Sequence, residues 1–201
     1  MKVTISGKPL KRILRWSEIA LFTCAAAMLG YSAYVVLDAQ LFQERESREF
    51  ERVLDLRAKL LRPPDIPQGS VMNGLIGRID IERLGVSVMV AEGDDGKTLR
   101  RAAGHVPGTA LPGEQGNVAI TAHRDTFFRP LRNIQMDDVI TLATLRGEYR
   151  YRVVATEIVG PKDVWVLDST GGEVLTLVTC HPFYFVGAAP NRFIVRAERI
   201  G

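Results

Sequence analysis

Residues 78–90 read RIDIERLGVSVMV. Ile79 and Ile81 alternate with Arg78 and Asp80, and Val86, Val88 and Val90 alternate with Ser87 and Met89. A period of two sends successive side chains to opposite faces of an extended chain, the pattern of a half-buried strand. The same reading extends toward the carboxyl terminus. Residues 118–121, 139–142, 149–154, 174–179 and 193–195 read as further strands, with Gly, Pro, Asn and Asp between them at short intervals. Residues 98–103 read as a short helix after Asp94-Asp95-Gly96. Many short strands divided by turns argue for a mainly β fold, a closed or nearly closed barrel, over a parallel α/β sheet. Residues 71–201 number 131, enough for one core.

The amino-terminal third reads differently. Residues 19–37, IALFTCAAAMLGYSAYVVL, carry no charge, and as a helix they would span about 28 Å, close to the thickness of a bilayer core. Trp16 on one side and Tyr31 with Tyr34 on the other suit the two interfaces. A cleaved signal peptide would have a shorter apolar core followed by an A-x-A-like site, and no well-placed site follows. Phe22 and Thr23 are poor residues before a lipidated Cys24. A buried core helix rarely follows a basic tail so closely. Lys8, Lys11, Arg12 and Arg15 precede the run within eleven residues, against Arg45 and Arg48 after it. The expectation is a single-pass protein of the cell membrane with residues 1–18 as a basic cytoplasmic tail, residues 19–37 as the transmembrane helix and the remainder extracytoplasmic. Residues 38–70 read as a mixed-charge helical stalk, solvated, ending in a stiff linker at Arg62-Pro63-Pro64-Asp65-Ile66-Pro67-Gln68-Gly69-Ser70. There is no internal repeat.

Of 201 residues, 46% are hydrophobic and 24% charged, so the chain can build a core. The net charge of +3 is confined to one end. Residues 1–15 hold five basic residues and no acid, which leaves the other 186 at −2. A body of that charge argues against a nucleic-acid partner, which would need clustered Lys and Arg.

Cys24 falls in the apolar run, so Cys180 is the single cysteine of residues 71–201. It ends the strand 174–179, where a rigid sheet fixes a group and a loop gives access to it. Two readings stand: a reactive thiol, or an inert cysteine serving as a small hydrophobe. A free thiol is only a few per cent thiolate at neutral pH and needs a base or a positive neighbour. His123 follows the strand 118–121 into the turn Arg124-Asp125-Thr126. His181 adjoins Cys180 but points to the opposite face of an extended chain. His105, in a Gly-Pro stretch, reads as a surface residue. An oxyanion would need a donor, and Arg192 or Arg196, on one face of the last strand, could supply it.

Three stretches together resemble the signatures of sortases: TAHRDTFFRPL at 121–131, TLVTCHPF at 176–183 and RFIVRA at 192–197. The resemblance extends over residues 74–201, including PGTALPGEQGN at 107–117, and is closest to class D. It implies a closed eight-stranded β-barrel with short helices over residues 71–201, behind a membrane helix. It implies a cysteine transpeptidase with Cys180 as nucleophile, His123 as acid and base, and Arg192, standing directly before an apolar strand, as the oxyanion donor. Thr179, Phe183, Tyr184 and Phe185 are the expected substrate contacts. Ala122 stands where a glycine is common before the histidine, and His181 follows the cysteine where other residues are usual. The implied partners are proteins carrying LPxTG-like sorting signals, with variants such as LPxTA or LAxTG, and an amine acceptor on a peptidoglycan precursor or a pilin lysine. No cofactor is expected.

Three other readings compete with this one. A non-enzymatic exported binding barrel would leave Cys180 incidental. A hydrolase would use the same residues with water as acceptor. A zinc site from Cys180, His181, His105 and His123 lacks the close ligand pairs such sites show. Glu92, Asp94 and Asp95 read as a solvated turn, although some sortases bind calcium through loop acids.

Overall fold

The computed structural model describes residues 7–59, 74–169, 171–185 and 187–201, with side chains from Arg12 onward. The Pro-rich linker and the first six residues of the basic tail lie outside the described residues. The chain divides into two compact units, Met1–Gln40 and Leu41–Gly201.

Helix α1, Gly7–Lys59, runs through both the apolar stretch and the mixed-charge stretch as one element of 53 residues. In the first unit its apolar side chains are open: Leu21, Phe22, Met28 and Leu29 are 70–73% exposed. Among the described residues α1 is the one helix long and apolar enough to cross a membrane. In the second unit Arg48 pairs with Glu44 at 2.9 Å and Lys59 with Asp55 at 2.6 Å, each one turn apart. Such exposed pairs add a few tenths of a kcal/mol each.

The second unit is a barrel of eight strands: β1 (Leu75–Ile81), β2 (Val86–Glu92), β3 (Ala103–His105), β4 (Gly116–Thr121), β5 (Val139–Thr144), β6 (Gly147–Val159), β7 (Glu173–His181) and β8 (Asn191–Arg199). They close in the order β1-β2-β3-β4-β7-β8-β6-β5. β4 and β7 run parallel, while β8 is antiparallel to both β7 and β6. The alternation that marked the strands fills the interior: Ile79, Ile81, Ile120, Leu142, Leu175, Leu177 and Val195 are fully buried in one cluster. Where β1 crosses β5 the backbones nearly touch. A Cβ on Gly77 would stand 2.1 Å from the carbonyl oxygen of Ala143, so only glycine fits.

Four local differences from the sequence reading have physical causes. β3 has three residues, too few to show a period. β6 runs on to Val159 because its ladder with β8 slips between Val153 and Ala155, and the alternation changes phase there. The short helix α2 is Gly96–Arg101, because Asp95 caps it by accepting from Lys97 N at 2.8 Å and Thr98 N at 3.3 Å. The Thr98 hydroxyl, with those amides, holds the Asp95 carboxyl below its usual range.

The fourth difference is the stalk. Within the second unit one face of α1 rests on the barrel while the other stays in solvent. Phe50 and Met89, each 1% exposed, form a second cluster with Leu75 on the outer face of β1 and β2. Gln43 donates to Arg101 O at 2.6 Å and accepts from Met89 N at 2.8 Å. Glu51 accepts from Arg78 at 2.8 Å. Met89 thus occupies the outward position its strand assigns it, and the helix covers it.

Candidate active site

The end of β7 sets the first residue. Leu175, Leu177 and Thr179 turn into the core, so Val178 and Cys180 stand on the outer face, with Cys180 half-buried. In the antiparallel ladder to β8, Cys180 is directly opposite Arg192, Val178 opposite Ile194 and Thr176 opposite Arg196. Directly opposed residues share a face with Cβ atoms about 5 Å apart. Arg192 is therefore the arginine beside the thiol. Arg196 is four residues, about 13 Å, along the strand. It donates instead to Val166 O at 3.2 Å. Arg192 donates through Nη1 to Asn191 O at 3.0 Å and Ala189 O at 3.3 Å, two of the bonds its five N–H groups allow.

The parallel ladder on the other side brings up the histidine. Thr121 is level with Val178, and Ala122 N donates to Val178 O at 3.2 Å. Ala122 and Thr179, 3% and 2% exposed, face inward, and the Thr179 hydroxyl donates to Ala122 O at 2.7 Å. One more residue along each chain leads to His123, exposed, and to Cys180. Cys180 and Arg192 are thus paired across β7 and β8, and His123 opens the turn that follows β4 on the other side of β7. Ala122, where the sortase pattern has glycine, fits because its methyl turns into the core.

A cleft of about 230 Å³ runs to Arg192 along the same face, floored by Thr121, Val178 and Ile194 and flanked by Val106 and Val164. Its far wall is the 3₁₀ helix Val164–Leu167. That wall is tied down from beneath: Asn117 donates to Val166 O at 3.0 Å and Asp168 O at 3.3 Å, and accepts from Thr176 at 2.7 Å. Asn117, 1% exposed, has no sequence signal beyond its place in PGTALPGEQGN.

The other candidates are placed as follows. Thr179 faces inward, its hydroxyl spent on Ala122. Phe183 packs inward, its ring 5.4 Å from Phe193. Tyr184 and Phe185 are 78% and 46% exposed, beneath the guanidinium groups of Arg132 and Arg124 at 5.4 and 5.9 Å. His181 stacks on Phe193, and its Nδ1 is buried with no partner among the described residues. His105 corrects an expectation. It is 2% exposed, with Nδ1 2.9 Å from Glu92 Oε2 and Nε2 3.0 Å from Ala110 O. No three His, Cys, Asp or Glu side chains among the described residues converge as metal ligands.

The closed barrel carries a thiol on β7, a guanidinium opposite it on β8 and an imidazole just past the end of β4. The Sortase domain profile matches residues 79–200, and the chain belongs to the sortase family. Within it the chain is class D-like. Sortase D of Bacillus subtilis (strain 168) is 28% identical over 199 residues, covering 90% of this chain and 98% of that protein. The Clostridium perfringens sortase D5 transpeptidase superposes with a TM-score of 0.62 at 29% identity, over 82% of this chain and 99% of that one. Streptococcus agalactiae sortase C1 gives 0.61 at 26% identity, over 76% of this chain and 89% of that one.

Proposed function

We propose that this chain is a membrane-held cysteine transpeptidase that cuts an LPxTG-like sorting signal after its threonine and passes the acyl group to an amine outside the membrane. One observation carries the reading: Cys180 faces Arg192 across the β7–β8 ladder, while His123 follows two residues after the Thr121–Val178 pair that ends the neighbouring β4–β7 ladder. The family supports a transpeptidase, and the similar C. perfringens protein is one.

The thiol proton passes to His123, and Cys180 Sγ attacks the threonine carbonyl. Arg192, cationic at any working pH, hydrogen-bonds the oxyanion. Collapse breaks the C–N bond, and His123 returns the proton to the leaving amine, leaving a thioester on Cys180. An incoming amine then loses a proton to His123, forms the new C–N bond and expels the thiolate. A peptidoglycan precursor or a pilin lysine supplies that amine, and water competes with it. The exposed apolar run of α1 supports the anchor at residues 19–37, and the basic residues before it support a cytoplasmic amino terminus.

Mass spectrometry of the protein incubated with LPxTG-like, LPxTA-like and LAxTG-like peptides tests this. The expected result is an acyl adduct on Cys180 that an added amine discharges as a ligated peptide. Peptide cleavage that survives Cys180→Ala would remove the nucleophile from the account.

A further inference from the structure

The loop of residues 182–190 joins the strand of Cys180 to the strand of Arg192, and two guanidinium groups hold its carbonyls. Arg192 takes that of Ala189 at the β8 end, beside that of Asn191, the first residue of β8. Arg124, the residue after His123, takes three nearer β7: Pro182 at 3.0 Å, Phe185 at 2.7 Å and Gly187 at 3.0 Å. Its guanidinium also lies 5.9 Å from the centre of the Phe185 ring. The turn that carries Arg124 is itself fixed. Phe128 is fully buried, and its N–H donates to His123 O at 3.1 Å.

We propose that Arg124 is a positioning residue: it ties the loop that orients Arg192 to the turn that carries His123. The chain of contacts gives it that reach. Arg192 leans on Ala189 within the loop, so a loop released at Pro182, Phe185 and Gly187 withdraws that support from the Arg192 guanidinium. Only a planar fork of donors meets three carbonyls at once. A lysine, a point charge with three donors on one nitrogen, cannot span them. The effect falls on the transition state, where Arg192 acts, and not on the cleft walled by Val164–Leu167. A displacement of about 1 Å at such a group costs up to about a hundredfold in rate.

The inference rests on the thiol reading above, and its test has one arm that needs no turnover. Hydrogen exchange of the amides of residues 183–185 and 187–189 is compared in the whole protein and in Arg124→Ala. We expect faster exchange there and unchanged exchange in β1 and β5. In peptide cleavage, Arg124→Ala and Arg124→Lys should both lose about tenfold to a hundredfold in kcat, with KM within about threefold. Because Arg124 acts through Arg192, adding Arg124→Ala to Arg192→Lys should cost far less than it costs alone. Unchanged loop exchange overturns the tie. So does a loss confined to KM, or losses that add fully in the double variant. Faster exchange in a protein that cleaves no peptide keeps the tie and discards only the thiol chemistry.

Discussion

Arg192 separates charge from shape. A lysine there keeps the positive charge but offers a compact point donor in place of a fork. Loss of one oxyanion donor costs about 10²–10³ in kcat elsewhere, so Arg192→Lys should fall in that range with an unchanged thermal midpoint. Steady-state kinetics beside a melting curve reads both, and a variant within threefold of the parent would exclude the oxyanion role. Asp138 carries a stability prediction of a different kind. It is 8% exposed and accepts from Arg83, at 2.6 Å to Nη2 with a second bond to Nε, and from Gln135 N at 2.8 Å. The Arg83 hydrogen bond, opposed by burial and aided by the Gln135 amide, holds the Asp138 carboxyl below its usual range. A carboxyl lowered in the folded state stabilises above its unfolded pKa and stops doing so as pH falls through its folded pKa. Asp138→Asn should therefore cost about 1–3 kcal/mol at pH 7, toward the lower end because Arg83 is 44% exposed, and the gap should narrow below about pH 4. Urea melts at pH 7 and pH 3 measure it, and an equal gap at both would refute the linkage. At this scale Cys180 and Arg192 drew notice in the sequence because each sits in a recognisable phrase at a strand end, and His123 because its phrase follows one. It did not show His105, whose loop-like neighbours hide the carboxylate thirteen residues back, nor Arg124, whose three partners lie about sixty residues away.

Among the elements, the strands were legible wherever one face met the core and the other met water. They were illegible where that contrast failed: in three-residue β3 and beyond the bulge in β6. Nothing local marks Phe50 as a core residue, since a mixed-charge helix with scattered apolar residues reads the same docked or free. The docking has a measurable size. Phe50→Ala should cost about 3 kcal/mol, as for other buried phenylalanines, although the residue lies outside the barrel. A loss under about 1 kcal/mol in chemical denaturation would mean that the helix contributes little.

For the molecule as a whole, the sequence reading started the catalytic part at residue 71, while the compact unit starts at Leu41. A chain beginning at Leu41 should melt several degrees above one beginning at Gly74, since the shorter chain leaves Leu75 and Met89 uncovered. Equal midpoints by calorimetry would show the barrel to be self-sufficient.

The strand order has a further bearing on how a peptide is held. β7 has β4 and β8 for neighbours, and β8 has β7 and β6, so neither strand offers a free edge. An incoming peptide cannot be recruited as an extra strand, the mode in which backbone amides supply the affinity. N-methylating a sorting peptide at each amide outside the scissile bond should leave its KM nearly intact, whereas trimming its leucine to alanine should raise it. Selectivity in the proposed transpeptidase is then written in side-chain pockets, which makes it open to redesign one pocket at a time.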